Sequence, residues 1–259
     1  MNAAVLREWP RKWGRRAVLA VQFATIFPLR TPAGVTDDEM RRSAALWPLA
    51  GAGLGALVWL ADGGLRLFLP PLPAAAMAMA GYALATGALH LDGLMDTVDA
   101  VGSRAPKERA LEIMRDSRVG ALGAVAGCVV LIGKTAALSA LPPAAAGPFV
   151  AVPALARAAV VWSTHFAPGA RGSAGLGGLF ARRVPASATW TASVSACAFA
   201  VWGLGLPRAI LYLAGAALVA YGAANWLRRR FGGMTGDTYG AVLELVEWLA
   251  WTAASAHTR

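Results

Sequence analysis

A chain of 259 residues that is 57% hydrophobic and only 15% charged, with a mean hydropathy of +0.53, is too poor in charge to cover a water-facing surface, which typically carries about 25% charged residues. Lipid must face much of it. The net charge of +10 falls in short clusters between apolar runs and not in one basic, aromatic-interleaved patch, which argues against nucleic acid as a partner. Cys128 and Cys197 lie inside apolar runs and have neither zinc-site nor disulfide-framework spacing.

In chain order, a basic, Trp-containing arm with Arg7, Arg11, Lys12, Arg15 and Arg16 comes first. The apolar stretch after it runs into "FPLRTP" without a small-residue cleavage site, so it does not read as a cleavable signal peptide. Residues 17–29 are too short to span a bilayer and read as an interfacial or re-entrant helix. A span needs roughly 20 mostly apolar residues. The runs that qualify are predicted at 43–61, 74–91, 119–141, 144–166, 187–205, 208–227 and 240–256. The prediction is therefore an all-α polytopic integral membrane protein, a single domain over 1–259 with about seven transmembrane helices and an N-terminal interfacial helix. Gly- and Ala-rich stretches such as "AGAGLGA" and "AGAALVAYGAA" permit close helix approach where no hydrophobic effect drives association.

The loops alternate between two sides. The side with the N-terminal arm and loops 92–118, 167–186 and 228–239 carries 19 of the 24 Lys and Arg residues. The positive-inside rule makes that side cytoplasmic. Trp47, Trp59, Trp162, Trp190 and Trp226 fall near span ends, where indole favours the interface.

Residues 87–123, "GALHLDGLMDTVDAVGSRAPKERALEIMRDSRVGALG", hold six of the fourteen carboxylates. Asp92, Asp96 and Asp99 are spaced four and three apart and share one helical face. On a fully solvated helix, like charges at that spacing cost only about 0.2–0.5 kcal/mol per pair. At a membrane flank, two charges about 5.5 Å apart repel by roughly 3 kcal/mol at an effective dielectric near 20. Such a face wants a cation or must take up a proton. Oxygen ligands without Cys suit a hard divalent ion, Mg2+, and not zinc.

Glu112 and Asp116 are again four apart, interleaved with Arg109, Arg115 and Arg118. For Glu108 and Arg109 a surface helix with ion pairs is the simpler reading. Asp116 sits where the next span begins and is placed with Asp92, Asp96 and Asp99 as a metal ligand. Arg115 and Arg118 suit bidentate contact with phosphate oxygens. Mixed acids and arginines at one membrane face suggest a metal–diphosphate site, with an aspartate accepting a proton from an attacking alcohol.

Residues 232–240, "GGMTGDTYG", add Gly232, Gly233, Thr235 and Gly236, whose backbone amides can approach an anion, and Asp237, a further catalytic carboxylate. A tight turn between two spans is nearly as good a reading of that stretch. Lys134 lies mid-span, where a cation is costly and marks function; it is a candidate for phosphate contact. Lys134 and Arg157 can equally pair with Glu244 or Glu247 for packing. His90 is placed with the substrate-binding residues, its alternative being an interfacial hydrogen-bond donor.

These stretches resemble the cobalamin synthase family, the adenosylcobinamide-GDP ribazoletransferases. The resemblance runs through "HLDGLMDTVDAV" (90–101), "LEIMRDSRVGALG" (111–123) and "GGMTGDTYGAVLEL" (232–245). "FATIFPLRTP" (23–32), "WPLAGAGLGAL" (47–57) and "GLGGLF" (175–180) follow the family in the same order. This sequence has Met95 where the family has a small residue and Ala100 where it has Gly; neither change touches a charged position. The resemblance implies a multi-pass enzyme of the cell inner membrane, its active site toward the cytoplasm. It implies transfer of the cobinamide phosphate of adenosylcobinamide-GDP to α-ribazole or its 5′-phosphate, with release of GMP and with magnesium. The identity of the base among Asp92, Asp96, Asp99, Asp116 and Asp237, and formation of a homo-oligomer, are left open by the spacing.

Two other readings compete. Membrane phosphotransferases that act on CDP-alcohols, and intramembrane prenyltransferases, also use spaced aspartates. This chain lacks the "DGxxAR" opening of the first and the Asn-led, doubled aspartate pattern of the second. A divalent-cation transporter would place its carboxylates near mid-bilayer, whereas here only Glu244 and Glu247 enter a span.

Overall fold

The computed structural model describes residues 3–167, 169, 176–179 and 182–257, with backbone alone for 3–9. Twelve α-helices follow in order among them: α1 (Ala3–Ala24), α2 (Asp37–Ser43), α3 (Trp47–Leu65), α4 (Pro71–Ala85), α5 (Leu89–Gly102), α6 (Lys107–Ile113), α7 (Ala121–Ala140), α8 (Ala146–Phe166), α9 (Leu176–Leu179), α10 (Ala186–Leu204), α11 (Leu206–Phe231) and α12 (Gly236–Ala256). The all-α expectation holds, and a helix occupies each of the seven expected ranges. Of the "GLGGLF" stretch, Gly175 and Phe180 lie outside the described residues.

Among the described residues, four runs are long and apolar enough to cross a membrane: Asp37–Leu65, Ala121–Ala140, Ala146–Phe166 and Leu206–Phe231. The pair α4 and α5 passes the same test together but is bent by 88°, so the count reaches five with one broken or re-entrant span. This is fewer than the seven expected. The physical reason is composition: α10 carries Ser or Thr at 187, 189, 191, 193 and 195, and α12 carries Glu244 and Glu247. The N-terminal helix also differs. It runs from Ala3 to Ala24 through Pro10, takes in the basic arm, and stops before "FPLRTP", where Pro28 and Pro32 disfavour helix in the preceding residues.

Helix α8 is the central post. Fifteen of its 21 residues are buried, and α3, α10, α11 and α12 pack around it. Close approach to α3 is set by Gly51 and Gly55, where an added Cβ would meet the backbone of Pro153 and Phe149. Toward the middle of the bundle, four helices are tied by buried charge. Glu247 accepts hydrogen bonds from Tyr82 (2.5 Å), Lys134 (2.7 Å) and Arg157 (2.6 Å), and Lys134 also reaches Glu244 at 2.6 Å. Two acids and two bases balance one another there, as ionisable groups held away from water must.

The α4–α5 break has an identifiable cause. Gly87 (φ 62°) and Ala88 (φ 54°) are successive left-handed residues, a conformation that a helix cannot continue through. The segment after α1 seats on this break: the Ile26 N–H donates to the Ala85 carbonyl at 2.9 Å. The turn redirects α5 so that its first residues lie against α12 and its last against the start of α7.

Candidate active site

Three sequence stretches meet at one end of the bundle, and glycines bring them together. A Cβ on Gly93 would lie 2.8 Å from the Cα of Asp237, and one on Gly240 would lie 3.0 Å from the carbonyl oxygen of His90. Helices α5 and α12 are therefore in backbone contact, antiparallel. On the other side of α5, Gly120 and Gly123 of the α7 entry face Asp99, and Gly127 faces Met95 with a Cβ-to-Sδ distance of 2.8 Å. The bulk of Met95 is thus taken up by the absent side chain of Gly127.

This packing brings Asp92, Asp96 and Asp237 together, with Asp99 on the α7 side of them. Asp96 is half-buried, and its carboxylate feels the charges of Asp92, Asp237 and Asp99. Asp92 is exposed and Asp237 half-buried. The Arg115 guanidinium is the cation that acts on Asp237, which Asp92 repels. The helix N-termini of α7 and α12 open at the same end, adding the partial positive charge of their free amides.

Not every expected residue joins this group. Asp99 spends both oxygens on backbone: it accepts from the N–H of Gly120 and the N–H of Gly123, each at 2.8 Å. It caps α7, whose own N-cap residue has no side chain. Asp116 stands apart on the loop after α6. Arg118 donates to it through Nε (3.0 Å) and Nη2 (2.7 Å), and the Arg118 N–H adds a third bond of 3.1 Å. Those bonds hold the Asp116 carboxyl down to about 2. The grouping of Asp116 with the other three as metal ligands is therefore not what the structure displays. Among the described residues, no set of three or more His, Cys, Asp or Glu side chains is gathered closely enough to cage a metal ion.

Lys134 is corrected as a phosphate contact. Its ammonium is bound to Glu244 and Glu247, its side chain is 2% exposed, and it lies over the Trp251 ring at 5.6 Å. The packing alternative is what the structure shows, for Lys134 and for Arg157. His90 is likewise buried, its ring 6.0 Å from Phe23 in an edge-on contact, so it supports the α1–α5 packing and does not face an open site.

The "GGMTGDTYG" stretch is both turn and site wall. Gly232 ends α11 in the left-handed region (φ 77°), its N–H donating to Arg228 at 2.8 Å, the usual glycine helix stop. Gly233 follows buried and Gly236 is the first residue of α12. Thr235 caps α12: its hydroxyl accepts from the Thr238 N–H (3.2 Å) while the Thr238 hydroxyl accepts from the Thr235 N–H (2.7 Å). The Thr235 hydroxyl also lies 3.4 Å from Asp237 Oδ2. Met234 forms a parallel bridge with Gly169, and the Tyr239 hydroxyl donates to the Ala167 carbonyl at 3.2 Å, so the loop after α8 borders the same end.

Lys107 was not singled out by the sequence. It is exposed, and its ammonium stands over Gly232, where any Cβ would collide with it. Arg230 donates to the Ala105 carbonyl at 2.6 Å, tying α11 to the segment that leads into α6 and Lys107. As the first residue of the seven-residue α6, Lys107 gives no periodic signal, so only the tertiary fold reveals it.

The arrangement can bind a diphosphate. Carboxylates that need a counter-cation lie beside helix N-termini and beside Arg115. The comparisons with known proteins agree with that chemistry. A family model described as cobalamin-5-phosphate synthase matches residues 16–255. The chain is 38% identical over 236 residues to the adenosylcobinamide-GDP ribazoletransferase of Pseudomonas entomophila, covering 88% of this chain and 93% of the relative. It is 39% identical over 244 residues to the enzyme of the same name from Syntrophobacter fumaroxidans, covering 91% and 96%. It is 34% identical over 237 residues to that of Thermoanaerobacter pseudethanolicus, covering 91% and 95%. No solved structure matches it. From residue 16 to residue 255, then, the chain belongs to the cobalamin-5-phosphate synthase family.

Proposed function

We propose that this chain completes cobalamin as an adenosylcobinamide-GDP ribazoletransferase, working at the cytoplasmic face of the cell inner membrane with α3, α4, α7, α8, α10, α11 and α12 crossing the bilayer. The observation that carries the reading is the meeting of Asp92 and Asp96 of α5 with Asp237 of α12, at the end where α7 and α12 begin.

In the reaction, the 3′-hydroxyl oxygen of α-ribazole, or of its 5′-phosphate, forms a bond to the phosphorus on the cobinamide side of the diphosphate. The bond from that phosphorus to the bridging oxygen breaks, and GMP leaves with the electron pair. The hydroxyl proton passes to a carboxylate. Asp96 is the acceptor this reading favours, because Asp92, Asp237 and Asp99 crowd it with like charge. Arg115 holds phosphate oxygens, and the α12 N-terminus, pre-set by the Thr235–Thr238 cap, offers backbone amides to the same anion.

The donor set suits magnesium. That ion is usually held by one or two carboxylates plus substrate phosphate oxygens and water, and not by an all-protein cage. Asp92 and Asp237, leaving Asp96 free to take up the proton, would hold the ion. When bound it neutralises charge on the diphosphate. Asp99 instead fixes the α7 entry beside them.

The test is reconstitution in liposomes with adenosylcobinamide-GDP, α-ribazole and Mg2+, followed by chromatography of the products. GMP and a cobalamin in equal amounts are expected. Turnover of CDP-alcohols or prenyl diphosphates instead, or metal entry into sealed vesicles without nucleotide, would reject the reading.

A further inference from the structure

At the end of the bundle opposite the carboxylates, a cleft of about 410 Å3 opens between the starts of α8 and α11 and the ends of α10 and α12. Arg208, Tyr212 and His257 line it, together with Gly147 and Trp202. Neither helix start has a side-chain cap: Ala145 and Gly205 occupy the N-cap positions without a side-chain hydrogen bond. The first-turn amides of Gly147, Leu206 and Arg208 there favour an anion; Ala146 already donates to the Ala144 carbonyl, and Pro148 and Pro207 have no N–H. A second observation points the same way. Tyr212 is 8% exposed, and its hydroxyl is buried without a hydrogen-bond partner, a state that a ligand acceptor would relieve. The Arg208 guanidinium acts on that hydroxyl from close by.

The cleft does not end in water. Tyr212 and His257 also line a second, apolar groove of about 290 Å3 between α11 and α12. It runs past Gly215 and Val219 on one side and Leu249 and Val246 on the other, from the helix ends toward the middle of the bundle. A polar, cationic mouth that continues into an apolar channel along a membrane-crossing helix has the amphipathic shape of a lipid.

We propose that this paired cleft and groove is a binding site for an anionic phospholipid, with the phosphate at Arg208 and Tyr212 and one acyl chain between α11 and α12. Charge complementarity and the continuity of the two spaces through Tyr212 and His257 select a lipid over a free anion, which would have no use for the groove. The site shares no residue with the diphosphate end and stands independently of the reaction.

The test uses the full chain purified in detergent, stripped by exchange, then offered dioleoyl phosphatidylglycerol, dioleoyl phosphatidylcholine or inorganic phosphate, with bound lipid counted by native mass spectrometry. The wild type is expected to retain one phosphatidylglycerol at least tenfold more tightly than phosphatidylcholine. Arg208→Gln and Tyr212→Phe should each weaken it by about tenfold. Gly215→Leu fills the groove at a position where an added Cβ meets nothing within 4 Å, so it should exclude the lipid without unfolding the chain. Equal retention of the two lipids, or unchanged phosphatidylglycerol retention in Arg208→Gln and Gly215→Leu, would overturn the proposal. So would displacement of the lipid by millimolar inorganic phosphate, which would mark a free-anion site.

Discussion

Asp99 of α5 caps α7 in place of Gly120: the carboxylate accepts from the Gly120 N–H and the Gly123 N–H at 2.8 Å each. A residue that reads from spacing as one of a row of metal ligands instead joins two helices. Loss of an N-cap costs about 1 kcal/mol. Asp99→Ala should therefore lower the thermal midpoint and speed amide exchange in the first turn of α7. Asp99→Asn, whose amide oxygen still accepts, should recover part of that loss. Asp92→Asn, which caps nothing, should leave both readouts at wild-type values.

Gly93 and Asp237 test the contact that assembles the site. A methyl at Gly93 would lie 2.8 Å from the Asp237 Cα and 2.9 Å from its carbonyl oxygen, and backbone cannot swing away as a side-chain tip can. Overpacking of this kind costs about 1–3 kcal/mol. Gly93→Ala should reduce both stability and GMP release. Gly127→Ala, which meets only the flexible Met95 side chain, should affect both much less, and parallel assays of the two variants check the difference.

The charge cluster around Glu247 should govern folding and not chemistry. Removing one partner of a buried ion pair costs about 3–5 kcal/mol because the other charge stays buried. Glu247→Ala leaves Lys134, Arg157 and Tyr82 without their shared acceptor. Such a chain should reach the membrane in reduced amount and unfold at lower temperature in detergent. The portion that does fold should bind adenosylcobinamide-GDP normally in a filter assay.

Asp116 gives a pH prediction. Its carboxyl is held down to about 2 by Arg118, below the ordinary carboxylate value near 4. A group lowered on folding contributes stability above its unfolded value and loses it as pH falls through the folded one. The Asp116–Arg118 pair is thus intact throughout the neutral range. The ratio of wild-type to Asp116→Asn turnover should stay constant from pH 5 to pH 9, measured as GMP release across that range.

The helical architecture was legible because long apolar runs report themselves directly, and the three stretches that meet at the site were legible because each joins charge to glycine at a span end. What the sequence does not carry is which partner a given charge finds. Lys134 could serve a phosphate or an acid, and only the register of α7 against α12 decides for Glu244 and Glu247. The break after α4 escaped because "LATGALH" reads as a continuous helix until the Ile26 backbone is seen bound to Ala85. Lys107 opens α6, a helix of seven residues that is too short to carry a period.

The account stands most directly on the carboxylates of Asp92 and Asp96. Their Asn variants, purified, shown to be folded by an unchanged thermal midpoint and reconstituted beside the wild type, should release no GMP from adenosylcobinamide-GDP and α-ribazole in the presence of Mg2+. Wild-type rates of GMP release from both variants would contradict it.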